Sequence, residues 1–191
     1  MAEAGKRTVD KWKKKKWFII TASKTFDRRP LGETPAEKPI NLIGRTMKVT
    51  LDVLTGQRTK RDYLVFFKNT DVQGQTINTS MSGFVVNKGF LGRTIRRRNS
   101  KVALNEKIPV VGGDVRLTVI AITARKATQK QRAGIREIMK AESVSLHGKE
   151  FEEVAKELLL GEFTNILFKK TNKVYMVKKV IVSKAKFTES K

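Results

Sequence analysis

The chain has 191 residues, with 41 Lys and Arg against 18 Asp and Glu, a formal net charge of +23. The absence of Cys excludes disulfides, thiolate metal sites and Cys nucleophiles. An apolar share of 39% that recurs at regular periods excludes a wholly disordered chain, and the self-repulsion of so many cations favours a polyanionic partner, nucleic acid first.

Residues 1–16 read as a flexible basic arm carrying Lys6, Arg7, Lys11 and the run Lys13, Lys14, Lys15, Lys16, with Trp12 among them. Trp17 to Ile20 opens the first expected strand. That apolar run is too short for a signal-peptide core and nothing after it approaches a membrane span, so the expected location is cytoplasmic, with no membrane contact. The stretch from Asp27 to Pro39 holds Pro30, Gly32 and Pro35 and is expected to be a long irregular loop. Met47 to Val53 alternates apolar with polar, the mark of a half-buried strand. Leu54 to Gln57 supplies a turn, Tyr63 to Phe67 returns as a more buried strand, and the two read as a hairpin. A further strand is expected around Phe84 to Phe90.

Gly112-Gly113-Asp114 signals a tight turn into another strand. There Val115, Leu117, Val119 and Ala121 share one face, and Arg116, Thr118, Ile120 and Ile122 take the other. Two helices follow. The first spans about Thr128 to Ser143, with Ile135, Ile138 and Met139 inward. The second spans about Lys149 to Leu160, where Phe151, Val154, Ala155, Leu158 and Leu159 form one amphipathic stripe; Gly161 reads as its stop. Burying the four large members of that stripe contributes roughly 6–12 kcal/mol gross of chain entropy. Val174 to Val182 is the last strand, with residues 184–191 a short basic tail. The expected class is α+β: a mainly antiparallel β-sheet or small β-barrel with two flanking α-helices, as a single RNA-binding domain over residues 17–183.

The strongest local feature is Arg93, Arg96, Arg97, Arg98 and Lys101, inside a window from Val72 to Asn105 that holds no acid. Guanidinium forks bond phosphate oxygens two at a time, so such a cluster grips a phosphate backbone better than it serves as a solvated face. The Lys13–Lys16 run is a second candidate, because lysines act as point charges on a backbone and an adjoining indole can stack on an unpaired base. Trp17 reads as a core aromatic. Trp12, with basic neighbours and no apolar partner nearby in sequence, is the better stacking candidate. Arg125, Lys126, Lys130, Arg132 and Arg136 make a third stripe, weak alone, that broadens the polyanion surface. The second helix is acidic (Glu150, Glu152, Glu153, Glu157, with Glu162 beyond), which reads as a solvated face or, second, a contact for a basic protein.

The catalytic inventory is poor. His147 is the sole His and sits beside Gly148 in a loop. Asp52, Asp62 and Asp71 lack the spacing of a magnesium cluster, and no phosphate loop, dinucleotide fingerprint or zinc pattern occurs, so no catalytic residue, metal or cofactor is expected.

These residues also carry a resemblance. Lys13-Lys14-Lys15-Lys16-Trp17, Gly32-Glu33-Thr34, Asp52-Val53-Leu54-Thr55-Gly56, Arg96-Arg97-Arg98 with Ser100, Arg116-Leu117, Thr123-Ala124-Arg125-Lys126, Ile135-Arg136-Glu137-Ile138-Met139 and the Lys178-Lys179-Val180 strand fall in the order seen in the small-ribosomal-subunit protein family S-one-e, the S-three-A type. The similarity covers about residues 11–186, and the short ends resemble archaeal members. The chain departs from the family where a Tyr-Pro pair often stands (here Leu167-Phe168-Lys169-Lys170) and at the usual Asp-Gly turn (here Gly112-Gly113-Asp114). The resemblance implies a barrel-like core on the subunit platform. It also implies contact with small-subunit rRNA near its 3′ end, close to the mRNA exit, and with neighbouring ribosomal proteins, and no homo-oligomer is expected. A free RNA-binding factor, such as an RNA chaperone or translation regulator, is the alternative reading, and an RNA-directed enzyme a distant third.

Overall fold

Strict alternation sets the first strand. In β1 (Lys16–Thr21), Phe18 and Ile20 turn inward at 4% and 5% exposure, while Trp17 and Ile19 turn outward at 58% and 43%. Trp17 is therefore a surface residue and not the core aromatic that its sequence position suggests: with four apolar residues in a row, either parity could have been the buried one. The computed structural model describes residues 12–189. After β1 come β2 (Pro30–Ala36), β3 (Thr46–Thr50), α1 (Leu51–Thr55), β4 (Tyr63–Gln73), β5 (Thr76–Val86), α2 (Lys88–Thr94), β6 (Lys101–Val110), β7 (Gly113–Thr123), α3 (Gln129–Ser143), α4 (Phe151–Leu160), α5 (Glu162–Asn172) and β8 (Val177–Glu189). The class is α+β, with a mixed, mostly antiparallel open sheet. None of the described helices is long and apolar enough to cross a membrane. The chain divides into two compact units: residues up to Met47 with Phe67–Ser80, and Lys48–Phe66 with the chain from Met81 on.

In the first unit β1 pairs antiparallel with β2, from Lys16↔Ala36 to Thr21↔Pro30, and parallel with the start of β5, Ile19↔Thr76 to Thr21↔Asn78. Phe18, Ile20, Ala36, Leu42 and Ile77 form its core, with Leu31, Met47 and Val72 packed against them. β2 corrects the expectation of an irregular loop from Asp27 to Pro39. Its two prolines are tolerated because β2 ends the strand path and pairs only with β1, so no second ladder needs their missing N–H groups. Buried Asn69 fixes the next loop. Its side-chain amide donates to the Leu42 carbonyl (2.9 Å), its backbone carbonyl accepts from the Gly44 amide (3.0 Å), and its backbone amide donates to the Arg45 carbonyl (2.9 Å).

In the second unit the end of β5 pairs with β8, β8 with β7, and β7 with β6, all antiparallel. The strand expected to run to Val53 stops at Thr50. Leu51 and Leu54 are both buried three residues apart, which an α-turn satisfies and a strand does not; Val53 is left 56% exposed. The strand expected to reach Phe90 stops at Val86, and Phe90 belongs to α2. β6 was not visible as a strand. α3 begins at a capping box in which Thr128 and Gln131 exchange hydrogen bonds. All five stripe residues of α4 are buried, and Phe151 stacks on Phe187 of β8 with ring centroids 4.9 Å apart. Gly161, at φ 98°, ends α4 and at once caps α5, whose Phe163, Leu167 and Thr171 are buried at i, i+4 and i+8. The two expected helices are α3 and α4; α1, α2 and α5 are additional. β8 extends through residues 184–189, correcting the expectation of a short basic tail there.

Gly83 sits where β5 meets β8. Its φ is 152°, and a Cβ there would lie 2.4 Å from the Ala185 carbonyl oxygen, a backbone atom that cannot swing aside. Gly83→Ala is expected to lower the stability to urea by about 1–3 kcal/mol or more. A variant as stable as the wild type would show that the two strands do not approach this closely.

Candidate nucleic-acid interface

The second unit's sheet has two unlike sides. On one, Val115, Leu117, Val119 and Ala121 of β7 are buried at or below 1%, beneath α3, α4 and α5. On the other, the register rows Ala103–Ile120–Ile181 and Lys101–Ile122–Lys179 lie side by side. There Val86, Ile120, Ile122 and Ile181 form an apolar patch capped by Tyr63, Phe90, Leu91 and Ile95. α2 is seated on that patch by its apolar residues. Its polar side consequently faces outward with Lys88 and Arg93. Burial raises the Tyr63 phenol above its ordinary value, with the neighbouring Asp62 carboxylate adding to it, so Tyr63 stays neutral beneath the helix.

The arginine run leaves α2 from a fixed point. The Asn87 side chain accepts from the Gly89 amide (3.0 Å) at the helix start, and Ile95 is held in the apolar patch at its end. Arg96, Arg97 and Arg98 are all exposed, and none has a carboxylate partner among the described residues. Arg93 does have one: its Nη2 lies 3.3 Å from Asp62 Oδ1, but its side chain is 69% exposed, so the pair contributes about 0–1 kcal/mol and can be exchanged for phosphate.

Buried Thr123 ties the far end of the run to the third basic stripe. Its Oγ1 accepts from the Ser100 amide (2.9 Å) and donates to the Arg125 carbonyl (2.6 Å), while the Ala127 amide donates to Ser100 Oγ (3.0 Å). Two segments that are distant in sequence, Arg96–Lys101 and Arg125–Lys126, are thus stitched side by side. Tyr175 adds a third thread, donating to the Lys126 carbonyl (3.0 Å). Lys101, Arg125, Lys126, Lys130 and Arg136 are exposed; Arg132 is half-buried, its Nε without a hydrogen-bond partner among the described residues. Cations fixed at both ends of short segments can match a phosphate track without first being ordered.

In the first unit Lys13, Lys14, Lys15 and Lys16 are exposed, as is Trp12, over whose ring Lys15 Nζ sits at 4.1 Å. Lys16 already belongs to β1. Lys6, Arg7 and Lys11 lie outside the described residues. Trp17 is a second exposed indole beside this run. Asp27 and Arg28 both hold left-handed backbone (φ 56° and 49°), a strained pair that presents the exposed Arg28; no residue pattern announced it.

Several acidic groups find partners within the chain. Ser143 donates to Glu106 under α3, Lys149 Nζ lies 2.7 Å from Glu157, and Lys170 pairs with Glu142. Asp71 accepts from the Val72 amide (2.8 Å). Asp52 is held below its ordinary value chiefly by the Thr50 hydroxyl, against some desolvation, with nearby amides and Arg61 adding to the effect. His147 is exposed.

The Ribosomal S3Ae family matches residues 3–191. The small ribosomal subunit protein eS1 of Saccharolobus islandicus is 34% identical over 191 residues, covering 97% of this chain and 90% of its own length. The protein of the same name from Staphylothermus marinus is 32% identical over 180 residues (93% and 84%), and that from Methanobrevibacter smithii 30% identical over 189 residues (97% and 97%).

The stitch makes a prediction. Thr123→Val keeps the shape but strips the Ser100 amide and the Arg125 carbonyl of a buried partner, so unfolding in urea should show a loss of about 1–3 kcal/mol. Unchanged stability would mean that the hydroxyl does not hold the two segments.

Proposed function

Because the chain belongs to the Ribosomal S3Ae family, we propose that it is a structural constituent of the small ribosomal subunit and holds rRNA by neutralising closely packed phosphates. The observation that carries this reading is the state of Arg96, Arg97 and Arg98: exposed, free of carboxylate partners among the described residues, and pinned between a packed Ile95 and a hydrogen-bonded Ser100. A structural protein in RNA needs this combination, cations unsatisfied by its own body on a backbone too well anchored to drift.

On this reading Arg93, Arg96, Arg97, Arg98 and Lys101 grip backbone phosphates together with Arg125, Lys126, Lys130 and Arg132. The segment with Lys6, Arg7, Lys11 and Lys13–Lys16 follows rRNA, and Trp12, joined by Trp17, offers stacking faces to unpaired bases. Binding releases condensed counterions and is thus driven largely by their entropy. The role is non-enzymatic, the location the cytoplasmic ribosome, and the partners rRNA and neighbouring ribosomal proteins. A barrel-like core, the platform position, contact with the 3′ region of rRNA and the nearness of mRNA at its exit belong to the same proposal and rest on the family resemblance.

With ~8 phosphate contacts, affinity for small-subunit rRNA should fall by about three to four orders of magnitude between 50 and 200 mM salt. Replacing Arg96, Arg97 and Arg98 together by Ala should weaken binding and reduce the slope of log affinity against log salt by about 2–3, with the melting temperature unchanged because all three side chains are exposed. Equal binding by the triple variant would remove the proposed grip. Sedimentation separates a subunit protein from a free factor: the former stays with the small subunit through a high-salt wash in equal copy number, and the latter comes off.

A further inference from the structure

The side of the β6–β7–β8 sheet that carries α2 is only half covered. Beyond the apolar patch, the next rows across the strands are Asn105–Thr118–Lys184 and Lys107–Arg116–Lys186, the last ending on Gly83 of β5. Lys107, Arg116, Lys184 and Lys186 are all exposed. Arg116 stands directly opposite a cation on both neighbouring strands. Cross-strand partners have Cβ atoms about 4.5–5.5 Å apart, and like charges so placed oppose pairing. One acid relieves the row from beside it: Asp114 Oδ2 lies 2.7 Å from Lys107 Nζ. Arg116, Lys184 and Lys186 have no carboxylate partner among the described residues.

A strand sequence that needed only a wet surface here would place Thr, Gln or opposite charges on both sides of Arg116, as the neighbouring row does with Asn105 and Thr118. Three unrelieved cations in adjacent positions make sense where an anion is meant to lie across them. The bare rows also continue from the patch on which α2 is seated, so they lie on the same side of the sheet as the base of the arginine run.

We propose that this open half of the sheet is a second phosphate-binding surface, on which an RNA backbone lies across β6, β7 and β8 with Arg116, Lys184 and Lys186 as its contacts. The proposal rests on the reading of the chain as an rRNA-binding protein and extends it to residues outside the arginine run and the N-terminal segment. A three-strand row of lysine and arginine without aromatic groups suits the sugar-phosphate chain rather than exposed bases. RNA is favoured over an acidic protein because the excess positive charge continues from this surface to the neighbouring arginine run.

The test uses the full chain as Arg116→Gln/Lys184→Gln/Lys186→Gln, beside the wild type and the Arg96/Arg97/Arg98→Ala variant. Each is titrated with small-subunit rRNA at several salt concentrations, and each free protein is melted. The expected result for the sheet variant is a loss of affinity of about tenfold or more, a salt slope smaller by about 2–3, and a melting temperature equal to or above that of the wild type, since the opposed charges are gone. Wild-type affinity and slope in the sheet variant, alongside a weakened arginine-run variant, would overturn this surface and leave the rRNA reading intact. Salt-insensitive or absent binding by the wild type itself would overturn both. A lower melting temperature accompanied by the lost affinity would also overturn it, because the row would then be holding the fold and not the ligand.

Discussion

Like charges have to be kept apart from carboxylates and apolar groups, and this fold does so by giving one side of a sheet to the helical layer and dividing the other between the apolar seat of α2 and a field of cations. β7 is the hinge of the arrangement. Its Val115, Leu117, Val119 and Ala121 turn to the helical layer, its Arg116 and Thr118 to the opposite side, and its final stretch holds Ile120 and Ile122 under α2. The acids concentrate on the helical layer, where Glu106, Glu142 and Glu157 are paired locally by Ser143, Lys170 and Lys149. Net charge alone would describe a sticky molecule; this segregation turns it into one with an oriented surface. The oriented surface is expensive in isolation, since each unneutralised guanidinium raises the energy of the free protein, and that energy is released when phosphate arrives.

Anchoring matters as much as charge. Arg96 to Arg98 occupy a short connection between an apolar plug and a buried hydroxyl, and Thr123 is fully buried although polar because its hydroxyl is satisfied by the Ser100 backbone on one side and the Arg125 carbonyl on the other. Removing a cation should change binding with little effect on the fold, whereas removing an anchor should change the fold first. The two kinds of residue are interleaved within Ile95 to Lys126, so the sequence shows the arginine run itself but not what anchors it.

Much of this was legible in the sequence. The stripe of α4, the start and inner face of α3, the alternation of β7 and the arginine run all follow from period and composition. The failures have definite causes. β2 and β6 carry Pro30, Pro35 and Pro109, which argue against strands in general but not against the two that end the strand path. α5 was hidden because Gly161 terminates one helix and starts another in a single left-handed residue. β1 has apolar residues on both parities, so only packing could decide that Trp17 faces out. The first half of β5 is polar, and its pairing with β1 comes from the register of the sheet, which no local pattern encodes. The proximity of Ser100 to Ala127 is likewise a tertiary fact.

The irregularity in β8 has a further meaning. Thr118 faces Lys184, but the next residue, Val119, faces Val182, so Ser183 is an unmatched residue looped out of the ladder. Before it, even-numbered positions such as Val180 and Val182 point at the helices; after it, odd-numbered Ala185 and Phe187 do. A strand without that slip would carry Lys184 and Lys186 inward, where an unpaired ammonium costs several kcal/mol. Ser183 thus works as a phase converter, letting one continuous strand keep its oil on one side across a change of parity. Losing or gaining a single residue in this stretch would invert the polarity of everything on one side of the change, so among descendants of this gene substitutions here should be far commoner than changes of length.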